Sequence, residues 1–309
     1  MSKVTFGIVN CNRLHYFKSC VESLLYCTED YPDKEIILVD NASIEKGTGR
    51  YLLEKEKQGI KVIRREERDP HNEFAKALNT IVEESSGDYV CPLQGDMQFI
   101  MRGDWLQDYV TFYDQNIDKV GCILLDAQRR VRNRKDQYIK TTSDNFLLNP
   151  HRNPISGAAD CIYSRNIIDM MYPWREENED HEGTKDSETA MLVKVSNIIK
   201  DKNLELFCVQ PMKPVSAAIF TDKRGTNARI RGNRRYGDYW PPKGDFKYYH
   251  ILDYNKMFEK YDSPWPMSIE MLATPIGFDA PVDHNFNWLK NPIDPNNCSE
   301  DDYVELNDD

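Results

Sequence analysis

The sequence predicts an α/β protein of three layers, in which a mostly parallel sheet is covered by helices on both faces. Three observations support this class. Strand and helix signals alternate through the first hundred residues with short links between them. The strand signals include continuous apolar runs, which are typical of strands buried on both faces. With 309 residues and 40% hydrophobic content, the chain is long enough to bury a substantial core.

Elements in the first hundred residues are predicted from two kinds of apolar spacing. Continuous apolar or β-rich runs predict four strands, at residues 4–9, 36–39, 60–63 and 89–93. Apolar residues that recur on one helical face predict helices at residues 16–25 and 74–82, with a shorter one at about 51–57. The short links indicate parallel strands joined by right-handed crossovers.

The remainder of the chain is less regular. Apolar runs predict strands at residues 120–125, 158–163 and 204–209, and helical spacing predicts a helix at 187–199. We expect one domain at 1–213, divided near residue 100, and a C-terminal extension at 214–309. The extension ends in an acidic tail, with seven acids among residues 294–309.

Composition excludes several classes of partner. The formal net charge of −11 argues against nucleic acid or an anionic membrane as the partner of the whole protein. No run approaches the roughly 18 apolar residues of a membrane span, and the N-terminus lacks a secretory cleavage site. The eight cysteines form no CxxC pair. We therefore expect free thiols in a cytoplasmic protein.

Polar residues follow the first two predicted strands, where ligands of parallel α/β sheets bind. Residues 10–13 read NCNR, and residues 40–43 read DNAS. A carboxylate at Asp40 can accept hydrogen bonds from a ribose or a nucleobase, and neighbouring Asn and Ser can hold the rest of a nucleoside. The alternative is that Asp40 caps the next helix, with Asn41 and Ser43 as turn residues.

Four ordered motifs resemble a known family. The strings are IVNCNR at 8–13, EIILVDNAS at 35–43 with Gly47-Thr48 after it, HNEFAKALN at 71–79, and GDYV at 87–90. In this order they resemble the opening of the family-2-like glycosyltransferases of the GT-A (Rossmann-like) fold. The resemblance covers residues 3 to about 110 well and about 110 to 200 loosely.

The resemblance implies a nucleotide-sugar donor, uridine-based, lying across the carboxyl ends of the strands. On this basis, residues 1–100 are expected to form the nucleotide-binding half of the domain, and residues 101–213 the acceptor half. Asp40 matches the acid that binds base and ribose, and Asn12 and Arg13 match residues that contact the nucleotide. The expected donor-binding residues are Asn10, Asn12, Arg13, Asp40, Asn41, Ser43, Asn72, Lys76, Gln94, Arg224, Arg229 and Arg231.

The family's metal-binding DxD motif falls on Gln94-Gly95-Asp96, so one acid is missing. Mn²⁺ or Mg²⁺ held by oxygen ligands neutralises a diphosphate leaving group, and the amide oxygen of Gln94 is one such ligand. We expect Asp96 to bind the metal; the alternative is a turn residue facing solvent. Of two late histidines, His250 and His284, the second is the candidate that compensates for Gln94, although a lone histidine is more often structural.

The resemblance also places a general base at the start of a helix, where Asp186 matches and Glu188 is the second candidate. The same residues are typical of an ordinary helix N-terminus, because acids there favour the helix dipole. Inversion at the anomeric carbon is expected by family analogy. The acceptor is expected along a small-residue segment at residues 154–160, with Ser156, Gly157 and Asp160 as its contacts.

A basic segment lies outside the family motifs. Residues 221–240 include six bases between Lys223 and Arg235, interleaved with glycines. We expect a lid loop that closes over the donor diphosphate or holds an anionic acceptor. The alternative is a solvated loop that pairs with the acidic residues 176–188.

These features predict a metal-assisted glycosyltransferase acting on a glycan or another hydroxyl acceptor. Two other functions compete with this prediction. A sugar nucleotidyltransferase needs a glycine-rich loop after the first strand, and residues 10–13 contain no glycine. A catalytically silent GT-A module that binds a glycan or a protein partner is favoured by the missing acid at Gln94.

Overall fold

The computed structural model of the protein describes residues 2–69, 72–126, 139–140, 145–150, 152–157, 160–176, 187–218, 248–258 and 275–276. The strands are β1 (Val4–Asn10), β2 (Lys34–Asp40), β3 (Lys61–Arg64), β4 (Tyr89–Leu93), β5 (Met97–Phe99), β6 (Met101–Arg102), β7 (Val120–Leu124), β8 (Ile139–Lys140), β9 (Phe146–Asn149), β10 (Cys161–Ser164), β11 (Phe207–Pro211), β12 (Ser216–Ala218), β13 (Tyr248–Tyr249), β14 (Leu252–Asp253) and β15 (Pro275–Ile276). The helices are α1 (Leu14–Cys27), α2 (Thr48–Lys57), α3 (Glu73–Glu84), α4 (Trp105–Gln115), α5 (Arg165–Met171), α6 (Ser187–Asp201) and α7 (Tyr254–Phe258).

Nine strands form the central sheet, in the order β3-β2-β1-β4-β10-β7-β11-β9-β8. Strands β3, β2, β1 and β4 are parallel to one another, and β7 is parallel to β11. Strand β10 runs antiparallel to β4 and β7, and β9 runs antiparallel to β11 and β8. The sheet is therefore mostly parallel, as predicted, and the carboxyl ends of β1, β2 and β4 meet at one edge.

Helices cover both faces of this sheet. Along β1, Phe6 and Ile8 belong to a hydrophobic cluster with residues of α1, α2 and α4. Residues of α3, α5 and α6 form a second cluster on the opposite face, together with Val9. All seven residues of β1 are buried, because helices pack on both sides of the strand. The predicted three-layer architecture is confirmed.

Most predicted elements agree with the structure, and the differences have local causes. The predicted strand at 204–209 begins instead at Phe207, because Leu204 closes α6. Its N–H bonds to the Ile199 carbonyl, and Asn203 adopts a φ of 50°. The sequence analysis did not predict α4 or α5. Helix α4 contains many aromatic residues, and its place is fixed by burial of Trp105, Tyr109 and Tyr113 against the sheet.

Described residues beyond 213 pack on β5 and β6. Strand β12 pairs with β5, aligning Ala218 with Met97, and β14 pairs with β6. The Gln98 amide bonds both backbone groups of Tyr249, at 2.7 and 2.8 Å. The expected boundary at residue 213 stays a prediction. Residues on both sides of 219–247 therefore contact β5, the strand that begins directly after Asp96.

Two further features concern the cysteines and the helices. The seven described cysteines are free and buried, and Cys298 lies outside the described residues. Among the helices that the structure describes, none has the length and apolar character needed to cross a bilayer.

A packing prediction concerns Gly7, which faces α3. An added Cβ would lie 2.6 Å from Cγ1 and 2.7 Å from Cδ1 of the fully buried Ile81. Gly7→Ala should lower the free energy of unfolding by about 1–3 kcal/mol through overpacking. Urea denaturation measures this change.

Ile81→Ala is the matched partner, because it removes the clashing atoms. Alone it should cost about 2–5 kcal/mol by leaving a cavity. The double variant should cost less than the sum of the single variants. Strict additivity would show that Gly7 and Ile81 do not constrain each other.

A second prediction concerns Lys213, which is 2% exposed and lies 4.9 Å from the Tyr254 ring. Burial lowers the pKa of Lys213 to about 7, and Asp108 partly opposes this shift. Between about pH 7 and 10.5 the unfolded chain binds more protons than the folded one, so the free energy of unfolding rises with pH. In Lys213→Met, denaturation at pH 7, 8 and 9 should give a flatter dependence. An unchanged slope would contradict the assignment.

Candidate active site

A buried carboxylate connects the ends of β1 and β2. Asp40 has no exposed surface, and its carboxylate accepts three hydrogen bonds. The donors are the Asn10 amide at 2.8 Å, the Ser43 backbone N–H at 3.0 Å and the Ser43 hydroxyl at 2.6 Å. Helix α2 begins at Thr48 after Gly47, so Asp40 does not cap it. Asp40 instead holds the turn at residues 40–43 against β1.

Asn12 connects the loop after β1 to the loop after β2. Its side-chain oxygen accepts from the backbone N–H groups of Ile44 at 2.7 Å and Glu45 at 3.1 Å. Glu45 returns the contact by accepting from the Leu14 N–H at 2.6 Å. Asn12 is 1% exposed and has a φ of 49°, a conformation that Asn tolerates. In this structure the side chain of Asn12 thus shapes the loop that would meet a nucleotide.

The sequence analysis missed Glu45, which is 1% exposed. A single acid in a polar loop carries no signal of burial. Its role emerges only where the loop after β2 meets the start of α1.

At the ends of β1 and β2, two buried amide oxygens have no hydrogen-bond partner. They are the Oδ1 atoms of Asn10 and Asn41, whose residues are 3% and 1% exposed. The amide nitrogen of Asn10 donates to Asp40, and that of Asn41 donates to the Glu73 carbonyl at 3.3 Å. These contacts fix which end of each amide is the oxygen. The protein itself thus leaves the hydrogen-bonding capacity of these two buried acceptors unfilled.

A small cleft lies between the ends of β1 and β4. About 160 Å³ of empty space is lined by Val9, Asn10, Cys11, Arg13, Tyr16, Gln94, Gly95 and Asp96. Gly95 has a φ of 79°, and a Cβ there would lie 2.7 Å from the Val9 carbonyl oxygen. Only glycine permits this approach. The cleft is small, so it can hold only one part of a larger ligand.

Asp96 faces Arg13 in this cleft. One guanidinium nitrogen of Arg13 lies 3.6 Å from a carboxylate oxygen of Asp96. The Asp96 side chain is 14% exposed and that of Arg13 is 23% exposed. The geometry is an ion pair between partly buried groups. Asp96 is therefore part of a charged site, which a solvent-facing turn residue would not be.

Asp160 lies at the same strand end. Its carboxylate accepts from the Gln94 N–H at 3.2 Å, across 66 residues of chain. Its own N–H donates to the Pro92 carbonyl, and its carbonyl accepts from the Leu125 N–H. Burial, followed by the charges of Asp160 and Asp96, raises the pKa of the Cys20 thiol. The residue predicted to contact the acceptor thus touches the predicted metal motif.

Gly157 packs against the first turn of α6. An added Cβ would collide with the Glu188 carbonyl oxygen and would lie 2.8 Å from Cγ of Leu192. The Trp174 indole N–H donates to the Gly157 carbonyl at 3.1 Å, and the Tyr163 hydroxyl donates to that of Ser156 at 2.8 Å. The predicted acceptor segment and the helix that carries Glu188 are therefore in contact.

Asn72 and Lys76 meet an acid that the sequence analysis missed. Lys76 Nζ lies 2.6 Å from Asp69, and the Asn72 amide donates to the same carboxylate at 3.1 Å. The hydrogen bond from Lys76 lowers the pKa of Asp69, with that from Asn72 as the second cause. Glu176 lies 3.8 Å from the Lys76 ammonium group. These polar groups lie at the start of α3.

Several expected residues lie outside the described part of the chain. They are Asp186, Arg224, Arg229, Arg231 and His284.

The cleft at the ends of β1 and β4 contains oxygen donors of the kinds that hard divalent cations bind. Asp96 provides a carboxylate, Gln94 an amide oxygen, and Asn10 an amide oxygen without a hydrogen-bond partner. Mg²⁺ and Mn²⁺ take oxygen ligands, and Mg²⁺ usually retains several waters. Within the described ranges, no three His, Cys, Asp or Glu side chains are grouped to hold a metal. A cation here would therefore rely on one carboxylate, amide oxygens, waters and its own ligand's phosphate.

Comparison with solved structures finds S. aureus TarS. Its segment 1–349 is 17% identical with a TM-score of 0.49, covering 70% of this chain and 60% of that one. The same segment in complex with UDP-GlcNAc is 17% identical with a TM-score of 0.46, covering 72% and 59%. This chain thus spans about 60% of the TarS segment. Among curated proteins no relative matches.

The model of one protein family matches more than half of the chain. This family is described as glycosyl transferase family 2, and the match covers residues 5–170. It includes β1 to β4, the cleft, Asp160 and α5. The α/β fold with its mostly parallel sheet agrees with the GT-A architecture expected from the motifs. The chain belongs to glycosyl transferase family 2.

Proposed function

We propose that the protein transfers a sugar from a nucleoside diphosphate donor, uridine-based, to an acceptor hydroxyl. One arrangement carries the proposal. The polar ends of β1, β2 and β4 lie side by side, and those of β1 and β4 form a charged cleft beside buried acceptor atoms. Membership of the family supports the reaction class.

The nucleoside is proposed to lie over the ends of β1 and β2. Asp40 and Ser43 keep the loop in shape, and Asn10 and Asn41 offer oxygen atoms to the donor groups of base or ribose. Asn12, Asn72 and Lys76 complete the proposed donor site. Ribose and all the common nucleobases carry hydrogen-bond donors, so these acceptors suit a nucleoside such as uridine.

The diphosphate is proposed to lie beside Arg13, above the end of β4. The guanidinium group is one described cation of the cleft. Further positive charge is proposed to come from Arg224, Arg229 and Arg231. Supporting this, β12 before residues 219–247 pairs with β5, and Tyr249 after them bonds to the Gln98 side chain of β5, the strand that begins directly after Asp96.

Mn²⁺ or Mg²⁺ is proposed to be held by Asp96 and Gln94, with His284 as a further candidate ligand. When bound, such an ion neutralises the charge that develops on the leaving diphosphate. Arg13 already balances the charge of Asp96 from 3.6 Å. Arg13 should therefore turn from Asp96 toward the phosphates when donor and ion enter together.

The acceptor is proposed to approach along Ser156 and Gly157, beside the start of α6. Asp186, with Glu188 as the alternative, takes the proton of the acceptor hydroxyl. The acceptor oxygen then bonds to the anomeric carbon while the bond from that carbon to the diphosphate oxygen breaks. Inversion follows from attack on the face opposite the leaving group.

A second candidate function is a silent module that binds a glycan or a protein partner. The observation that favours it is the Arg13–Asp96 ion pair, which satisfies the acid without a metal. Such a module would bind no nucleotide sugar.

The cytoplasm is the proposed compartment. Support comes from the cysteines, since the thiols of Cys122 and Cys208 lie 3.8 Å apart and remain free. An oxidising compartment favours disulfides between such neighbours.

Release of nucleoside diphosphate from a set of nucleotide sugars, with and without Mn²⁺, tests the proposal. We expect release to depend on the ion, and Asp96→Asn should lower it at least about 100-fold, as expected for loss of a charge-stabilising group. Asp88→Asn is the matched control, because Asp88 lies at the opposite end of β4 and accepts from the Lys3 N–H. Absence of both binding and release with every donor would favour the silent module.

Substitution at the start of α6 tests the base. Asp186→Asn should lower kcat about 100-fold or more while UDP affinity stays unchanged, because a general base acts only in the chemical step. Glu188→Gln is the comparison variant and should have the smaller effect. A larger loss of kcat in Glu188→Gln than in Asp186→Asn would identify Glu188, and not Asp186, as the general base.

A further inference from the structure

The turn that carries Asp96 is held from two sides. Only Gln94, Gly95 and Asp96 separate β4 from β5. On one side, Gly95 packs against the Val9 carbonyl of β1. On the other, Asp160 accepts the Gln94 N–H. The direction of Asp96 therefore depends on contacts to a neighbouring strand and to a distant loop.

Asp160 is itself rigidly placed. Its backbone bonds to Pro92 of β4 at 2.7 Å and to Leu125, the residue after β7, at 3.3 Å. Its φ of 70° lies in the left-handed region, and the residue is 7% exposed. Aspartate adopts this conformation more readily than most non-glycine residues, and the two backbone hydrogen bonds hold it in place. The position of the Asp160 carboxylate, which accepts from the Gln94 N–H, is thus set by backbone hydrogen bonds to β4 and to the residue after β7.

We propose that Asp160 is a positioning residue for the donor site. Through its hydrogen bond to the Gln94 backbone, it fixes the turn at 94–96 and so the direction in which Asp96 faces donor and cation. This inference rests on the proposed function and assigns Asp160 to the donor side of the site. Displacement of a binding group by about 1 Å has large effects on affinity and rate.

Asp160 and Gly157 also connect the proposed donor site with the helix that carries the candidate base. Asp160 lies three residues after Gly157, so their Cα atoms are at most about 11 Å apart. Gly157 contacts the first turn of α6, which carries Glu188. Movement of this segment would therefore disturb both the metal position and the start of α6. Asp160 fixes the end of the segment that touches β4.

Two backbone-compatible variants test the proposal. Asn and Gly both tolerate a positive φ, so neither adds strain at position 160. Asp160→Asn keeps an oxygen that accepts the Gln94 N–H, whereas Asp160→Gly removes it. Binding of UDP with Mn²⁺ is measured by calorimetry, and KM for donor and acceptor is measured separately. Thermal melting reports any loss of folding.

We expect Asp160→Gly to weaken UDP–Mn²⁺ binding and to raise the donor KM, each about tenfold, as expected for loss of one hydrogen bond. Asp160→Asn should restore both to within about threefold of the wild type. The acceptor KM should change little in either variant.

Three results would overturn the inference while leaving the proposed function intact. They are wild-type binding by Asp160→Gly, equal losses in both variants, which would assign the effect to charge, and a change in the acceptor KM alone. If the wild-type protein binds no UDP–Mn²⁺, the proposed function itself fails, and the inference with it.

Discussion

The site depends on the burial of one carboxylate, Asp40. A charged group without exposed surface is costly unless hydrogen bonds replace the lost water. Asn10 and Ser43 supply three such bonds, and the Ser43 hydroxyl also accepts from the Asn12 N–H at 2.8 Å. The need to satisfy Asp40 thus joins the ends of β1 and β2 into one rigid unit. The Asn10 side chain, held by Asp40, keeps its free oxygen beside the cleft.

A second unit forms around the end of β4. Glycine at position 95 allows β4 to turn close to β1, and Asp160 secures the turn from the other side. The two units meet in the cleft, where Arg13 from the first faces Asp96 from the second. Charge balance is therefore local, in a protein whose formal net charge is −11. A donor diphosphate or a cation that enters the cleft must rearrange this pair.

The acceptor half is connected to the donor half through short, tightly packed segments. Strand β10 pairs antiparallel with both β4 and β7, which brings the loop before it to the carboxyl edge of the sheet. In that loop, Gly157 leaves room for α6 to pack closely, and Asp160 accepts a hydrogen bond from Gln94 at the end of β4. Residues beyond 213 return to the same edge by pairing with β5. Elements far apart in sequence thus surround one short turn.

The sequence by itself determined the parallel half of the fold and the edge where the site lies. Apolar runs define buried strands, helical spacing defines the crossovers, and parallel strands bring the residues that follow them to one edge. The positions of Asn10, Asp40 and Asp96 follow from that logic. Only the tertiary structure decided the partners of these residues. Asp160 meets Gln94 across 66 residues, and Glu45 meets Leu14 across 31. Such contacts leave no periodic signal, because they arise from the packing of loops whose polar residues resemble any exposed turn.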